Sequence, residues 1–435
     1  MAASENPLSP DAAWQPDRLS TVRLAGFGLR RDPPRPLDDR QPGYLDLFDS
    51  DTLFYDVFRG ADPSKVMLTG PPLLNCAGLL DSLSFRLPGQ VDLVPWRYEP
   101  GRSGFQPNFK IRLDHPALAG TDRLQIALAG QQIDVRIQSN GHSRFAGRRM
   151  VLTLSKDNPF SWIRDWVAFN IRVHQADAVL IYDNGSSAYD IAALEGLLSG
   201  IPGIAAALVV PWPFPYGPNV GPRNIQDSFF CQPGALEHAR WRYCATARGV
   251  LNNDIDELTV PRSGDSIFNF LERSGKAAIV YPGLWADQWV DMPAAEPATS
   301  ATLHHGDFLY SQRWRIIPGR LRPDRWLLRT KWAVRPALCP AEAGWGVHDI
   351  YSEAGGSVPP ESSWKLRTSR ILYRHLRLMS VKPARQRTPR SAAMTATFDR
   401  PLARCLALAF AGRPRKSVLA SGIERLTWML RHARR

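Results

Sequence analysis

Residues 149–383 predict an α/β domain on a mostly parallel sheet, with a β-rich unit before it and a basic tail after it. Three features carry this. From about residue 149, short apolar strands alternate with amphipathic helices in the order β-α-β-α-β-α-β. Before that point, apolar residues recur at every second position. The fourth strand of the alternating part, Val250 and Leu251, runs into an acid cluster, Asp254-Ile-Asp-Glu257.

Taken in order, residues 1–45 are rich in Pro, Asp and Arg and read as irregular. Residues 46–148 hold Leu83–Leu87, Phe109–Leu113, Leu124–Leu128 and Ile133–Ile137, which alternate apolar and polar. That is the pattern of antiparallel strands with one buried face, and it predicts a small sandwich-like unit. Nothing in it looks catalytic, so docking or structure is its default role. Val151–Leu154 then reads as a buried strand. Asn158 before Pro159 reads as an N-cap followed by proline at the first helical position. A helix to about Arg172 follows, with Phe160, Ile163, Val167 and Ile171 on one face. Ala178–Tyr182 is a second buried strand ending in Asp183-Asn184-Gly185-Ser186. Ser187 with Asp190 resembles a capping box for a helix that Gly200 ends. Ile204–Val210 is a third strand, leading into a proline-aromatic loop, 211–216. Residues 232–245 read as a helix before the fourth strand.

In an extended segment positions i and i+2 share a face, so Asp254 and Asp256 are expected to reach one point beyond the strand end. Two hard oxygen ligands there suit Mg or Mn, which also binds substrate phosphates. The pattern is weak alone: Asp49-Ser-Asp51 fits it with no β-α alternation leading in. In open α/β sheets, however, ligands bind beyond the carboxyl ends of strands, and Asp183 ends a strand of the same sheet.

Composition narrows the options. The chain has 435 residues, 44% hydrophobic and 22% charged, enough for two or three domains. No apolar run is long enough to span a membrane, and Met1–Pro7 lacks the features of a signal peptide. Five scattered cysteines fit a reducing cytoplasm and disfavour a zinc cluster. The net charge of +13 is concentrated at the end: residues 381–435 carry thirteen Lys and Arg against two acids, 13 − 2 = +11. There is no Gly-x-Gly-x-x-Gly after the first strand of the alternating part and no Gly-x-x-x-x-Gly-Lys-Ser/Thr, which disfavours dinucleotide oxidoreductases and P-loop NTPases.

An ordered series of motifs resembles a known family. Lys156-Asp157-Asn158 with Trp162–Trp166, the Ile181–Ser186 strand end, Gln232 with Ala239, and Asp254–Glu257 come first. Lys331–Pro336, Gly346-Val-His348 and Tyr373-Arg-His375 follow. Together they resemble GT-A glycosyltransferases of the family 2 and family 92 type, including bacterial proteins once labelled only as a domain of unknown function. Asp157-Asn158 departs from the family's Asn-Glu. The resemblance implies a GT-A, Rossmann-like parallel or mixed sheet. It implies an inverting, metal-dependent transfer from a nucleotide diphosphate sugar, UDP-sugar favoured, to a glycan hydroxyl. It also implies that Asp254, Asp256 and His348 hold Mn or Mg, with Asp157, Asp183, Asn184, Gln232 and Lys331 toward the nucleotide. Asp183 would contact base or ribose, although an acid in Asp-Asn-Gly-Ser also reads as a turn residue. A carboxylate would act as base, with Asp287, Asp307 and Asp349 as candidates. Trp285, Trp289, Trp314 and Trp332 could stack on sugars, but core packing explains most of them.

Two rivals remain. Asp-Ile-Asp-Glu-Leu nearly matches the motif of HAD-type phosphatases, whose first Asp is a nucleophile, but Leu258 stands where Thr or Val is expected. The basic tail, with helices expected over 403–411 and 417–435, could instead serve a non-catalytic scaffold. It suits an anionic membrane surface, so the expected location is cytoplasmic, peripheral at the inner face. A nucleic-acid partner is disfavoured because no recognition motif accompanies it.

Overall fold

Two different periodicities produce two different units. The computed structural model describes residues 19–101, 107–218, 227–262, 264–288, 303–314, 327–352, 360–377, 379 and 394–411. The first unit contains β1 (Val22–Arg23), α1 (Tyr44–Leu47), β2 (Thr52–Phe54), β3 (Asp56–Arg59), β4 (Lys65–Gly70) and β5 (Ser84–Arg86). It continues with β6 (Trp96–Glu99), β7 (Phe109–Asp114), β8 (Arg123–Leu128) and β9 (Gln131–Arg136). β3-β4-β7-β6 and β5-β8-β9 form two antiparallel sheets. The alternating residues, such as Leu124, Ile126 and Leu128 of β8, bury into one core together with Phe85, Ile111 and Leu113. Val22, Leu24 and Phe27 enter the same core, and Val22 pairs with Phe54. Part of the stretch expected to be irregular is therefore packed structure.

The second unit begins with β10 (Arg149–Ser155), α2 (Phe160–His174), β11 (Ala178–Asp183), α3 (Ile191–Ser199), β12 (Ala206–Pro211), α4 (Cys231–Arg242) and β13 (Gly249–Asn252). β12, β11, β10 and β13 are adjacent and parallel. Their carboxyl ends therefore share one edge. β11 buries Val179 and Ile181 on one face and Ala178, Leu180 and Tyr182 on the other, as a strand covered on both sides must. Beyond β13 the sheet turns mixed. β14 (Glu257–Pro261), α5 (Ile267–Arg273), β15 (Ala278–Asp287), β16 (Tyr310–Trp314) and β17 (Leu328–Val334) come next. They are followed by the small β18 (Gly344–Trp345) and β19 (Ile350–Tyr351), α6 (Glu361–Trp364), β20 (Lys365–Arg367), β21 (Ile371–Leu376), β22 (Met394–Phe398) and α7 (Arg400–Ala409). Among the described residues this sheet has 11 strands. β17 runs antiparallel between β13 and β15, and β14 pairs with β21.

Helices α2, α3, α5 and α7 cover one face and α4 the other. Three local expectations need correction. Asn158 does not cap α2; its amide donates to Ser155 Oγ (2.9 Å), and extended Pro159 takes the N-cap position. The start of α3 is capped by Asp190 alone, through Ala193 N (2.7 Å). The helix expected over 403–411 is α7, but its apolar face, Leu402, Cys405, Leu406 and Ala409, is buried in the core with α2, so that face is unavailable to a membrane. The helix expected over 417–435 lies outside the described residues, as do Trp289 and the Trp314 side chain. All five cysteines are unpaired, and no helix among the described residues is long and apolar enough to cross a membrane.

The two units meet at α4. Asp56 of β3 is fully buried against Arg242 Nη1 (2.8 Å) and His238 Nε2 (2.9 Å), and Tyr182 OH meets His238 Nδ1 (2.7 Å). Lys110 of β7 pairs with Glu237 (3.2 Å). Gly234 is required here, since a Cβ would stand 2.6 Å from the ring of Tyr55.

Candidate functional site: an acidic turn at the parallel strand edge

β13 ends at Asn252, and the chain does not stay extended through the acids. Residues 254–257 form a tight turn: Glu257 N donates to the Asp254 carbonyl (3.0 Å), and Asp254 N donates to Glu257 Oε2 (3.0 Å). The period-two argument for the two aspartates is therefore wrong in its geometry. The turn sends them to different partners at the same sheet edge.

Asp254 receives Gln232 Nε2 from α4 (3.1 Å) and Lys331 Nζ from β17 (2.8 Å). Lys331 also reaches Glu257 Oε2 (2.9 Å) and is 0% exposed. Burial opposes its charge, but Asp254 and Glu257 outweigh that and raise its pKa above the usual lysine value. Asp256 faces His375 Nε2 of β21 (3.3 Å), whose Nδ1 faces Glu257 (3.5 Å). Burial works against a proton on His375 too, yet Asp256 and Glu257 hold its pKa up at about 10. Two further contacts hold the backbone of the turn: His305 Nε2 donates to the Ile255 carbonyl (2.8 Å) and Leu376 N to that of Asp256 (2.8 Å). Tyr216 donates to Gln232 Oε1 (3.3 Å). Tyr373 is pushed well up, chiefly by burial and then by Glu257, Asp254 and Asp256.

His348 stands beside this network. Its Nδ1 is 3.2 Å from the Thr330 carbonyl, which can only accept, so Nδ1 carries the hydrogen and Nε2 keeps its lone pair. Burial and the Lys331 charge lower its pKa to about 3, against the pull of Asp254.

Of the other expected residues, several are committed to the scaffold. Asp183 caps its own turn, accepting from Ser186 N (3.0 Å) and Ser186 Oγ (2.5 Å), as a turn acid does. Asn184 donates to the carbonyls of Trp212 and Phe214 (2.8 Å each) and so pins the proline-aromatic loop. Asp157, at φ 52°, accepts from Ser187 N (2.6 Å) and Ala188 N (2.9 Å). Asp349 follows His348 but points to Lys365 (3.3 Å) and Arg367, and Asp307 accepts from His304 N (2.9 Å). Asp287 pairs with Arg377 (2.8 Å), whose guanidinium lies 4.6 Å over half-buried Trp285. That indole in turn is 4.4 Å from His375. Trp332 is buried against Trp345 and packs the core. Sequence reasoning undervalued Glu257, His305 and His375; the motif Tyr373-Arg-His375 was the available signal for the last.

Two part-exposed carboxylates, Asp254 at 31% and Asp256 at 19%, and an imidazole with a free Nε2 lone pair are donor types that Mn or Mg accepts. Among the described residues no three His, Cys, Asp or Glu gather closely enough to hold an ion alone.

No protein-family model matches the chain, and no curated protein matches its sequence. Solved structures that align with parts of it include a galactosyltransferase, LgtC, in complex with donor and acceptor sugar analogs. It has 13% identity and a TM-score of 0.24, over 43% of this chain and 58% of that one. The mannosyltransferase Ktr4p from S. cerevisiae aligns at 8% identity and a TM-score of 0.20, over 33% of this chain and 41% of that one. Its complex with GDP aligns at 9% and 0.23, over 35% and 45%. The chain thus spans about half the length of each, and overlap this slight carries no weight for fold or chemistry.

Proposed function

We propose that this chain is a GT-A type, nucleotide-sugar-dependent glycosyltransferase. It would move a sugar from a UDP-linked or related donor to a glycan hydroxyl with inversion. The observation that carries the reading is the acidic turn 254–257 at the carboxyl edge of four parallel strands, with Gln232, Lys331 and His375 converging on it from three other segments. Asp254 and Asp256 would hold Mn or Mg, and the ion would neutralise negative charge on the departing nucleotide diphosphate. His348, with Nε2 unprotonated, would complete the ion's shell or contact a phosphate. Gln232 and Lys331 orient Asp254, while Asp183, Asn184 and Asp157 shape the neighbouring strand-end loops that would line the nucleotide. Asp287 is the carboxylate we assign as base: it ends β15 two residues after Trp285, and to accept a proton it would have to give up its buried ion pair with Arg377. Its proton acceptance would drive the acceptor hydroxyl onto the anomeric carbon.

Release of UDP or GDP from a panel of nucleotide sugars, with Mn and simple glycosides present, tests this reading. Turnover that falls about 100-fold or more in Asp287→Asn, with nucleotide binding retained, supports it. Release of nucleotide at the buffer rate for every donor removes the assignment.

A further inference from the structure

The outer side of α7 is basic. Leu402, Cys405, Leu406 and Ala409 bury the inner side, whereas Arg400, Arg404 and Leu408, four positions apart in turn, form one exposed stripe. Two more exposed arginines join it. Arg404 Nη2 donates to the Arg262 carbonyl (3.5 Å), and Arg262 N donates to that of Arg370 (3.3 Å), where the β14–β21 pair ends. Among the described residues none of these four arginines is in an ion pair. The acids closest to them in sequence are engaged elsewhere: Asp399 is buried on Arg374 (2.5 Å), and Asp265 is held by Arg273. Four cations gathered without a carboxylate repel one another, so an extended anion is the partner that stabilises this face. The face is also partly apolar. Leu408 is 55% exposed, and Phe398, two positions before α7, is 43% exposed.

The chain runs on from this face. Residues 412–435 follow α7 and hold seven Lys and Arg against one acid, Glu424. Val418, Ile423, Leu426, Met429 and Leu430 are interspersed with them. Basic and large apolar side chains together match a bilayer surface, where apolar groups enter the acyl boundary while guanidinium groups meet lipid phosphates. A nucleic-acid backbone would use the arginines but leave Leu408 and Phe398 in water. We propose that Arg262, Arg370, Arg400, Arg404, Leu408 and Phe398 form a docking face for an anionic membrane, continued by residues 412–435. The apolar side of α7 stays packed on α2, so the helix meets the membrane by its charged side, as part of the folded domain. This holds whether or not the chain transfers a sugar.

Flotation of the full chain with phosphatidylcholine vesicles, and with vesicles in which about one third of the lipid is phosphatidylglycerol, tests the proposal. At low salt, partitioning to the anionic vesicles should be at least about tenfold stronger and should weaken as ionic strength rises. Arg370→Glu/Arg400→Glu/Arg404→Glu changes only exposed side chains and keeps residues 412–435. It should lose at least about tenfold in partitioning with an unchanged circular dichroism spectrum. Arg400→Glu alone, an acid that suits the first turn of a helix, repeats the test should the triple variant lose its fold. Leu408→Ser should weaken vesicle binding by about threefold or more. Wild type that ignores the anionic vesicles at low salt, or binds both kinds equally, overturns the proposal. So does a folded triple variant that partitions like wild type, because residues 412–435 would then act without this face. Tighter binding to duplex DNA than to vesicles, lost in the same variant, overturns it in favour of nucleic acid.

Discussion

His174 closes α2 with both ring nitrogens engaged inside the protein. Nδ1 accepts from Ile267 N (3.2 Å) and Nε2 donates to the Thr259 carbonyl (2.9 Å), which requires the neutral ring. Burial lowers its pKa to about 4. The unfolded chain takes up the proton below about pH 6.5, whereas the folded chain resists it down to about pH 4. Stability from this residue is therefore intact above about pH 6.5, is lost as pH falls, and is fully lost below about pH 4. His174→Gln can keep both hydrogen bonds and has no proton to gain. Urea unfolding should show the stability gap between wild type and His174→Gln shift in favour of the variant by up to about 3 kcal/mol between pH 7.5 and pH 4. A gap that stays constant across that range contradicts the account. At this same scale, the acids differ in what surrounds them. Asp183, Asp157 and Asp349 are consumed by local caps and an ion-pair cluster, while Asp254 and Asp256 remain part-exposed at the sheet edge.

Elements decide how those residues meet, and α4 bears most of that work. Its N-terminal turn offers Gln232 to the acidic turn, and its C-terminal half clasps the β-rich unit through His238 and Arg242 on Asp56. All three side chains are buried, so Asp56→Ala leaves a guanidinium without its carboxylate and should destabilise the chain by about 3–5 kcal/mol. A thermal denaturation midpoint within a degree or two of wild type would show that the clasp is not structural. What could be read from sequence follows from the same distinction. The strands β10 to β13 were legible because a strand covered on both faces must be a short apolar run, and β5 and β7 to β9 because a half-buried strand alternates. The motif Asp-x-Asp-Glu was legible as chemistry, but its geometry was not. Two backbone groups and the Glu257 side chain fold 254–257 into a turn, a local competition that face alternation cannot register. The partners Lys331, His305 and His375 come from segments 50 to 119 positions away, brought in by antiparallel β17 and β21 and by the 303–308 segment, and no local period reports such pairing.

Across the whole molecule, one edge gathers the chemistry. The parallel half of the sheet ends there with Asp183 and the acidic turn, and the antiparallel half delivers Lys331 and His375 to the same place. The β-rich unit supports α4 from behind, and α7 packs beside α2 on the sheet face opposite α4. Open α/β sheets bind ligands beyond the carboxyl ends of their strands, and the acidic turn follows β13 at that edge. The central claim is that Asp254 and Asp256 bind a nucleotide diphosphate through a divalent ion. Isothermal titration of UDP and GDP, each with Mn, into wild type and Asp254→Asn/Asp256→Asn tests it most directly. Wild type should bind one of the two nucleotides. The double variant, folded by circular dichroism, should lose at least about 100-fold in affinity, or about 2.7 kcal/mol. Binding of equal strength by the double variant, or binding to wild type that chelation of the metal leaves unchanged, would contradict the account.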